Sequence, residues 1–391
     1  MVAHPALNHH MSGHLRAGRP GVRAVVRGRL RWPAVPDPIP IDLEPMLAAP
    51  KADLPLGERW VYEPKWDGFR SLVHRNGDRV DLASRGRRPL TRYFPELHDP
   101  FRHLPRDQAV LDGEIILVGR EGLDFDALGQ RIHPAESRVK MLSETTPAEF
   151  VAFDLLALDG EDLRSRPWRE RRKLLDDLLL DAPGSVRLTP VTPDPATALR
   201  WFADLEGSGL DGIIAKRDDE RYLPGKRQWV KRKHERTADC VVIGYRASDG
   251  GKTLGSLLLG AYGDDRTLHY VGHISGFDTA ARRAILEQVR EMRLEEAPDA
   301  AQISAELGRR PGGVSRWSSA KDPSWNAIRP EIVVEVRYDK LQSGERFRHA
   351  AGFLRWRPDK APEQCRFSDI VAQEPENLGS PWQVLDRDPG R

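Results

Sequence analysis

Between Tyr62 and Arg70 the chain reads YEPKWDGFR. A lysine, a carboxylate and a glycine fall within Lys65 to Gly68, and Arg70 follows close behind. A lysine amine is a nucleophile only without its proton, so its ordinary pKa of about 10.4 must fall for it to act near neutral pH. Nearby cations or a bound metal lower it. Gly68 lets the backbone turn sharply or a ligand approach closely, and Asp67 supports the same turn. Most lysines between strands are plain surface cations, so this stretch alone decides little. Five further segments carry matching residue types: LDGEI (111–115), AFDLL (152–156), LDGIIAKR (210–217), WVKRK (229–233) and RWRPDK (355–360). Lys231 and Lys233 lie two apart on an expected strand and so project to one face. There they can neutralise phosphate and depress the pKa of Lys65. An amine nucleophile, in-line geometry and positive charge around phosphate oxygens are what a phosphoryl-type transfer needs.

These residues need elements to hold them. WVYEPKW and FRSLVHR read as strands, and NGD before RVDLASR closes a hairpin, because Asn-Gly favours a tight turn with positive φ. AVLDGEIILV reads as a strand pair or a strand with a turn, EFVAFDLLAL as a buried strand, and QWVKRKH as a further strand. PWRERRKLLDDLLLD is an amphipathic helix opened by Pro167. TALRWFADLEGSGLDGIIAKR gives a helix, a glycine stop at Gly207 or Gly209, and a strand. Beyond Thr237, ADCVVIGYRA, LGSLLLGAYG, TLHYVGHI and EIVVEVRYDKL are short β runs between Gly and Asp, interrupted by one helix, TAARRAILEQVREMRL. That pattern fits a small antiparallel barrel. The expectation is an α+β chain: a mixed domain of antiparallel sheets with helices over 42–236, then an all-β barrel with a C-terminal tail over 237–391. Residues 1–41 are predicted to be a disordered basic tail, since six arginines lie between Arg16 and Arg31 with Gly and Pro interleaved. His4, His9, His10 and His14 read as polar residues of that arm rather than a metal tract.

Composition bounds the rest. The 391 residues suffice for two domains, and 39% hydrophobic with 31% charged residues is ordinary for a soluble protein. No apolar run is long enough to span a membrane, and the start lacks an apolar signal core. Two cysteines, Cys240 and Cys365, exclude a four-cysteine zinc site and argue against a disulfide framework. A cytoplasmic location is therefore expected. The net charge of +2 decides little, but Lys216 to Arg236 holds nine Lys/Arg against four Asp/Glu, with Tyr222 and Trp229 among them. Such a stretch suits a phosphate-facing surface.

The quoted segments, taken in order, resemble the nucleotidyltransferases of the DNA ligase and RNA-capping superfamily. The nearest likeness is to the ATP-dependent DNA ligases of bacteria, and within them to the small stand-alone actinobacterial type called LigC. YEPKWDGFRS, RPLTRYFPEL, LDFDALGQRIHPAESRV, FDLLAL, RTADCVVIGYR and VVEVRYDKL carry it. It runs from about residue 42 to about residue 370. The resemblance implies a nucleotidyltransferase (adenylation) domain followed by an OB-fold barrel. By it, Lys65 becomes a lysyl-AMP, Arg70 meets the ribose or the 5′-phosphate of a nick, and Arg85 does similar work. The family's usual Ser-Arg-Asn-Gly is changed here, because Gly86 directly follows Arg85, so this turn is expected to differ. Glu114 would hold the ribose hydroxyl and serve a metal; Asp211, where most relatives have glutamate, would be a second metal ligand. Phe153 would stack on adenine and Glu63 would help recognise it. Lys216, Arg227, Lys231 and Lys233 would contact phosphate. Arg357 and Lys360, with Asp359 in support, would swing over the nucleotide and orient pyrophosphate.

The implied activity is ATP-dependent sealing of 5′-phosphate/3′-hydroxyl nicks in duplex DNA, in repair, with Mg²⁺ or Mn²⁺. The implied partners are nicked DNA and, as for some relatives, Ku or primase-like repair polymerases. The chain is expected to act as a monomer, on the nucleoid when bound to DNA. The alternatives are an RNA ligase, a GTP-dependent capping-type enzyme and a non-catalytic DNA-end-binding scaffold. An NAD-dependent ligase would need a zinc finger that two cysteines cannot build.

Overall fold

The computed structural model describes residues 37–294, 324–342 and 344–386. The first half is built on β1 (Leu47–Pro50), β2 (Trp60–Pro64), β3 (Phe69–Asn76), β4 (Arg79–Ser84), β5 (Gln108–Ile116), β6 (Glu149–Leu158), β7 (Val186–Leu188), β8 (Gly212–Arg217) and β9 (Arg227–Lys233). They form two sheets, ordered β1-β9-β8-β2 and β7-β6-β5-β3-β4, the second with a two-residue strand added on β6. Most neighbours are antiparallel, as the sequence suggests. The edges differ: β1 runs parallel to β9, and β7 parallel to β6. β7 follows β6 through the helix Trp168–Leu179, the crossover that a parallel pair of consecutive strands needs.

The β3–β4 hairpin turns at Gly77, whose φ of 63° is the one Asn-Gly sequences favour. Gly113, by contrast, makes no turn: β5 continues through it, with a shift of register against β6 between Asp112 and Gly113. A Cβ there would lie 2.3 Å from the Phe150 ring and 2.5 Å from the Val151 carbonyl. The glycine serves close strand packing, which period and composition do not reveal. Helix α1 (Trp168–Leu179) follows Pro167 and lays Trp168, Leu175, Leu178 and Leu179 on the second sheet. Leu175, Leu178 and Leu179 join Phe94, Phe101, Phe150, Leu111 and Leu155 in one core, each buried side chain contributing roughly 1.5–3 kcal/mol. Helix α2 (Pro195–Asp204) is capped by the Asp194 carboxylate, and the chain reverses at Gly209 with φ 85° before entering β8.

The second half contains β10 (Arg236–Ser248), β11 (Thr253–Tyr262), β12 (Leu268–Ile274), β13 (Val333–Tyr338) and β14 (Gly352–Trp356). Their order is β12-β11-β10-β13-β14, and a parallel bridge from Ile274 to Ala351 brings the outer strands together. Closing the sheet removes its edges. Helix α3 (Thr279–Glu291) packs Ile285, Leu286 and Val289 into the barrel core. Two short helices follow, α4 (Phe367–Val371) and α5 (Pro381–Asp386).

The expected tail lies mostly outside the described residues. Its last residues are tied down: Ile39 is buried among Met46, Leu72 and Trp229, and Asp37 pairs with His74 at 2.8 Å. Among the described residues no helix is long and apolar enough to cross a membrane.

Candidate active site

Lys65 to Gly68 is the passage from β2 in one sheet to β3 in the other. No strand ladder holds this loop, so individual contacts do. The Lys65 amide donates to the Gly212 carbonyl (2.8 Å), and the Asp211 amide donates to the Lys65 carbonyl (3.0 Å). Gly68 donates to Glu114 Oε1 at 3.1 Å. It has no room for a side chain, because a Cβ would fall 2.0 Å from the Ile115 carbonyl oxygen.

The Lys65 ammonium donates to Asp211 Oδ2 at 2.6 Å, and Lys233 reaches the same oxygen at 2.6 Å. Lys233 thus stands beside Lys65, as its strand face suggested. The expected depression of the Lys65 pKa is not what this arrangement does. Burial pulls it down, but Asp211, Asp67 and Glu114 outweigh burial and the net shift is upward. The carboxylates, not the neighbouring lysines, dominate while no phosphate is present. Asp211 is held well below the usual carboxylate range: burial raises it, and Lys65 and Lys233 more than reverse that. Lys231 is lowered by burial and by the repulsion of Lys233 and Lys65. Burial pushes Glu114 up to about 7 against the pull of Lys65 and Arg70.

Arg70 is clamped by Asp112 through two bonds of 3.0 and 2.7 Å, and Tyr222 donates to the same carboxylate at 2.7 Å. Its guanidinium lies over Phe153 (5.3 Å) and Trp229 (5.0 Å). Phe153 meets Trp229 edge-on and carries the Lys216 ammonium 4.8 Å from its ring centre. Lys216 is fully buried and pairs with Glu63 Oε1 at 2.6 Å. Glu63 Oε2 is buried and has no hydrogen-bond partner. Burial raises the Glu63 pKa, with Lys216 opposing. An aromatic ring flanked by cations and an orphaned buried acceptor fits a planar base with an amine edge.

Other candidates stand apart from this cluster. Arg85 is exposed beyond β4. In the turn after β4 the positive φ, 62°, falls on Arg87 rather than Gly86. Arg227 is exposed and donates to the Ala48 carbonyl at 3.4 Å. Arg357 bonds Asp239 and Asp359, and Lys360 bonds Asp239 at 2.8 Å. All those partners lie within the second half, so RWRPDK is not at the nucleophile here. Instead, Lys340 and Arg348 both engage Asp67, and Gln342 donates to Asp126 at 2.8 Å. A cleft of about 620 Å³ opens beside this contact, lined in part by Asp211, His234, Arg236, Asp339 and Arg348. The sequence reading assigned no role to Lys340, Arg348, Asp112 or Tyr222. The only signal for the first two was their charge in the run after β13.

The residues available for a metal are Glu114 and Asp211; among the described residues no group of three ligands is assembled. Two carboxylates suit Mg²⁺ arriving with substrate phosphates rather than in a protein cage.

A partly buried lysine between two sheets, an aromatic pocket flanked by cations and a trailing barrel are features of a nucleotidyltransferase. Residues 45–233 match the family model of the ATP dependent DNA ligase domain, and 250–360 that of the ATP dependent DNA ligase C terminal region. The chain belongs to the ATP-dependent DNA ligases. Within them it is close to the mycobacterial C type. It is 50% identical to DNA ligase C2 of Mycolicibacterium smegmatis over 85% of this chain and 95% of that protein. It is 49% identical to DNA ligase C of Mycobacterium tuberculosis, again over 85% and 95%. A solved Lig E DNA ligase, 17% identical, shares the fold over 80% of this chain and 99% of its own at a TM-score of 0.51.

Proposed function

We propose that the chain seals nicks in duplex DNA in three steps, with Lys65 as the covalent carrier of AMP. The Lys65 ammonium gives up its proton, its Nζ bonds the α-phosphorus of ATP, and the bond to pyrophosphate breaks. A 5′-phosphate oxygen at the nick then attacks that phosphorus and the N–P bond breaks, returning the amine. The 3′-hydroxyl finally attacks the activated 5′-phosphorus and AMP leaves. The single observation that carries this reading is the placement of Lys65 beside Asp211, Lys233 and Glu114, next to a pocket with an unpaired Glu63 oxygen.

In this reading Phe153 offers its ring to adenine and Glu63 Oε2 accepts from the exocyclic amine. Arg70 exchanges Asp112 for ribose or phosphate oxygens, while Lys231 and Lys233 neutralise the α-phosphate. Glu114 and Asp211 would hold Mg²⁺ or Mn²⁺, which supplies charge neutralisation at the phosphates when bound. Arg357 and Lys360 must leave Asp239, and the barrel must rotate, before they meet pyrophosphate. The adenylation domain takes 42–236, and the OB-fold domain with its C-terminal tail takes 237–391. DNA contact would be mostly to backbone, and therefore salt-dependent. Ku or a primase-like polymerase would be the recruiting partner in repair.

The test is incubation of the purified chain with α-labelled ATP, a divalent metal and a nicked duplex. Label on Lys65, sealing, and loss of both in Lys65→Ala are expected. Label from GTP in place of ATP, or labelling without sealing, would overturn the reading in favour of a capping-type enzyme.

A further inference from the structure

The last described segment does not end at the barrel. After α4 the chain crosses back to the adenylation half, and α5 docks beneath the nucleophile loop. Trp382 of α5 packs on Trp66, ring centres 4.6 Å apart and planes at 34°. Trp66 is the residue directly after Lys65; it is buried, and its indole donates to Thr189 Oγ1 at 2.9 Å. Trp382 is itself fixed. Its indole donates to Glu149 Oε2 (3.1 Å), and Arg187, bonded to the same oxygen at 2.7 Å, covers its ring at 4.6 Å. Leu385 is buried in the cluster that contains Tyr62, Trp66, Val151 and Leu205.

The adenylation half is shaped to receive this segment. Leu378 donates to the Gly207 carbonyl at 3.0 Å, and a Cβ on Gly207 would fall 2.1 Å from the Glu376 carbonyl oxygen. The segment also leaves the barrel where the barrel is entered. Arg236 donates to the Gln373 carbonyl (2.8 Å), and Gln373 donates to the Thr237 carbonyl (3.0 Å). Two chain passages thus run side by side between the halves. Rotation of the barrel about that pair leaves α5 seated.

We propose that the C-terminal segment Gly379–Asp386 completes the active site, with Trp382 a positioning residue that holds Trp66 and, through it, Lys65. The proposal rests on Lys65 being the nucleophile. Without Trp382, Trp66 loses one wall of its slot, and the Lys65 loop, which has no ladder of its own, gains freedom. Attack on the α-phosphorus needs the amine in line. Misplacement on the order of 1 Å costs about 100-fold.

The experiment measures two steps in the full chain: formation of lysyl-AMP from labelled ATP, and sealing of a nick already carrying 5′-adenylate, which needs no attack by Lys65. Trp382→Ala is expected to slow the first by about 10–100-fold and leave the second close to wild type, with Trp382→Phe restoring the first. Gly207→Ala, which unseats the segment without touching the Trp66 slot, is expected to give the same split if Trp382→Ala does not fold. Equal loss in both steps, or loss in neither, overturns the proposal. If the wild-type chain itself forms no adduct at Lys65, it is the ligase mechanism that fails instead.

Discussion

Asp211→Asn gives a direct reading of how the nucleophile is held. One oxygen of Asp211 accepts from Lys65 and from Lys233, each at 2.6 Å. The two ammonium groups therefore lie no more than about 5 Å apart and repel by about 3 kcal/mol at an effective dielectric of 20. The single carboxylate masks that repulsion. Its removal leaves Lys65 with Lys233 nearby and with Asp67 and Glu114 as the remaining opposing charges. Loss of one close opposite charge shifts a pKa by about 1–3 units, and each unit is tenfold in free amine. The sign follows from the raised pKa of Lys65. In the wild type the free amine grows tenfold per pH unit up to the ordinary lysine value of 10.5 and beyond it. The same shift stabilises the fold below that value, and the gain is lost as pH rises through the folded pKa. The assay is lysyl-AMP formation at limiting ATP across pH 6–10.5, where the profile reports the nucleotide-free enzyme. The Asn variant should break about 1–3 units lower, even if its maximum falls because a metal ligand is lost. Lys233→Met should raise the Lys65 pKa further and so lower the rate at each pH in that range. Coincident profiles for all three proteins would refute the carboxylate's control of Lys65.

Glu63→Gln strands the Lys216 ammonium without its counter-charge in a fully buried position and should cost about 3–5 kcal/mol in urea unfolding. Adding Lys216→Met should recover most of that loss. Glu114, pushed up to about 7 by burial, favours the fold below its ordinary value of 4.5, and that contribution is lost as pH rises through 7. Glu114→Gln should therefore gain stability relative to wild type between pH 5 and 8, by about 2–3 kcal/mol, while impairing adenylation. Arg87 carries a φ of 62° on an exposed turn. Arg87→Gly should raise stability by about 1 kcal/mol, read as a rise in melting temperature.

The sequence disclosed what local chemistry can carry. Asn76-Gly77 encodes its own turn, Pro167 its own helix start, and the spacing of Lys231 and Lys233 their common face. Asp211 and Lys65 were both legible as site residues, but their pairing joins positions far apart in the chain, and no spacing predicts it. Gly113 misled because the Phe150 ring that forbids a side chain there comes from another strand. RWRPDK was legible as a set of charges. Which face of the barrel meets Lys65 depends on the orientation of one half against the other, and here the run holding Lys340 and Arg348 meets it instead. SPWQVLD gave no helical period because α5 is under two turns long.

The pairing of charges suggests why such a site can bind and release phosphate repeatedly. Each of several cations expected to meet phosphate rests on a carboxylate: Lys65 and Lys233 on Asp211, Arg70 on Asp112, Arg357 and Lys360 on Asp239. Partly buried cations such as Lys65 and Arg70 would be destabilised without partners. With the carboxylates present, a triphosphate exchanges one anionic ligand for another, so each cation stays paired before and after. The gain on binding is then a difference between two good pairings, small enough to be reversed when pyrophosphate or AMP departs. The released Asp211 is at that moment a free carboxylate beside the phosphates, where a divalent cation would use it. Lys231 is an exception, lowered by burial and by its neighbouring cations, and phosphate should raise its pKa. The Asp211→Asn profile would show this coupling as well, since a site without that carboxylate should bind ATP more tightly and release pyrophosphate more slowly.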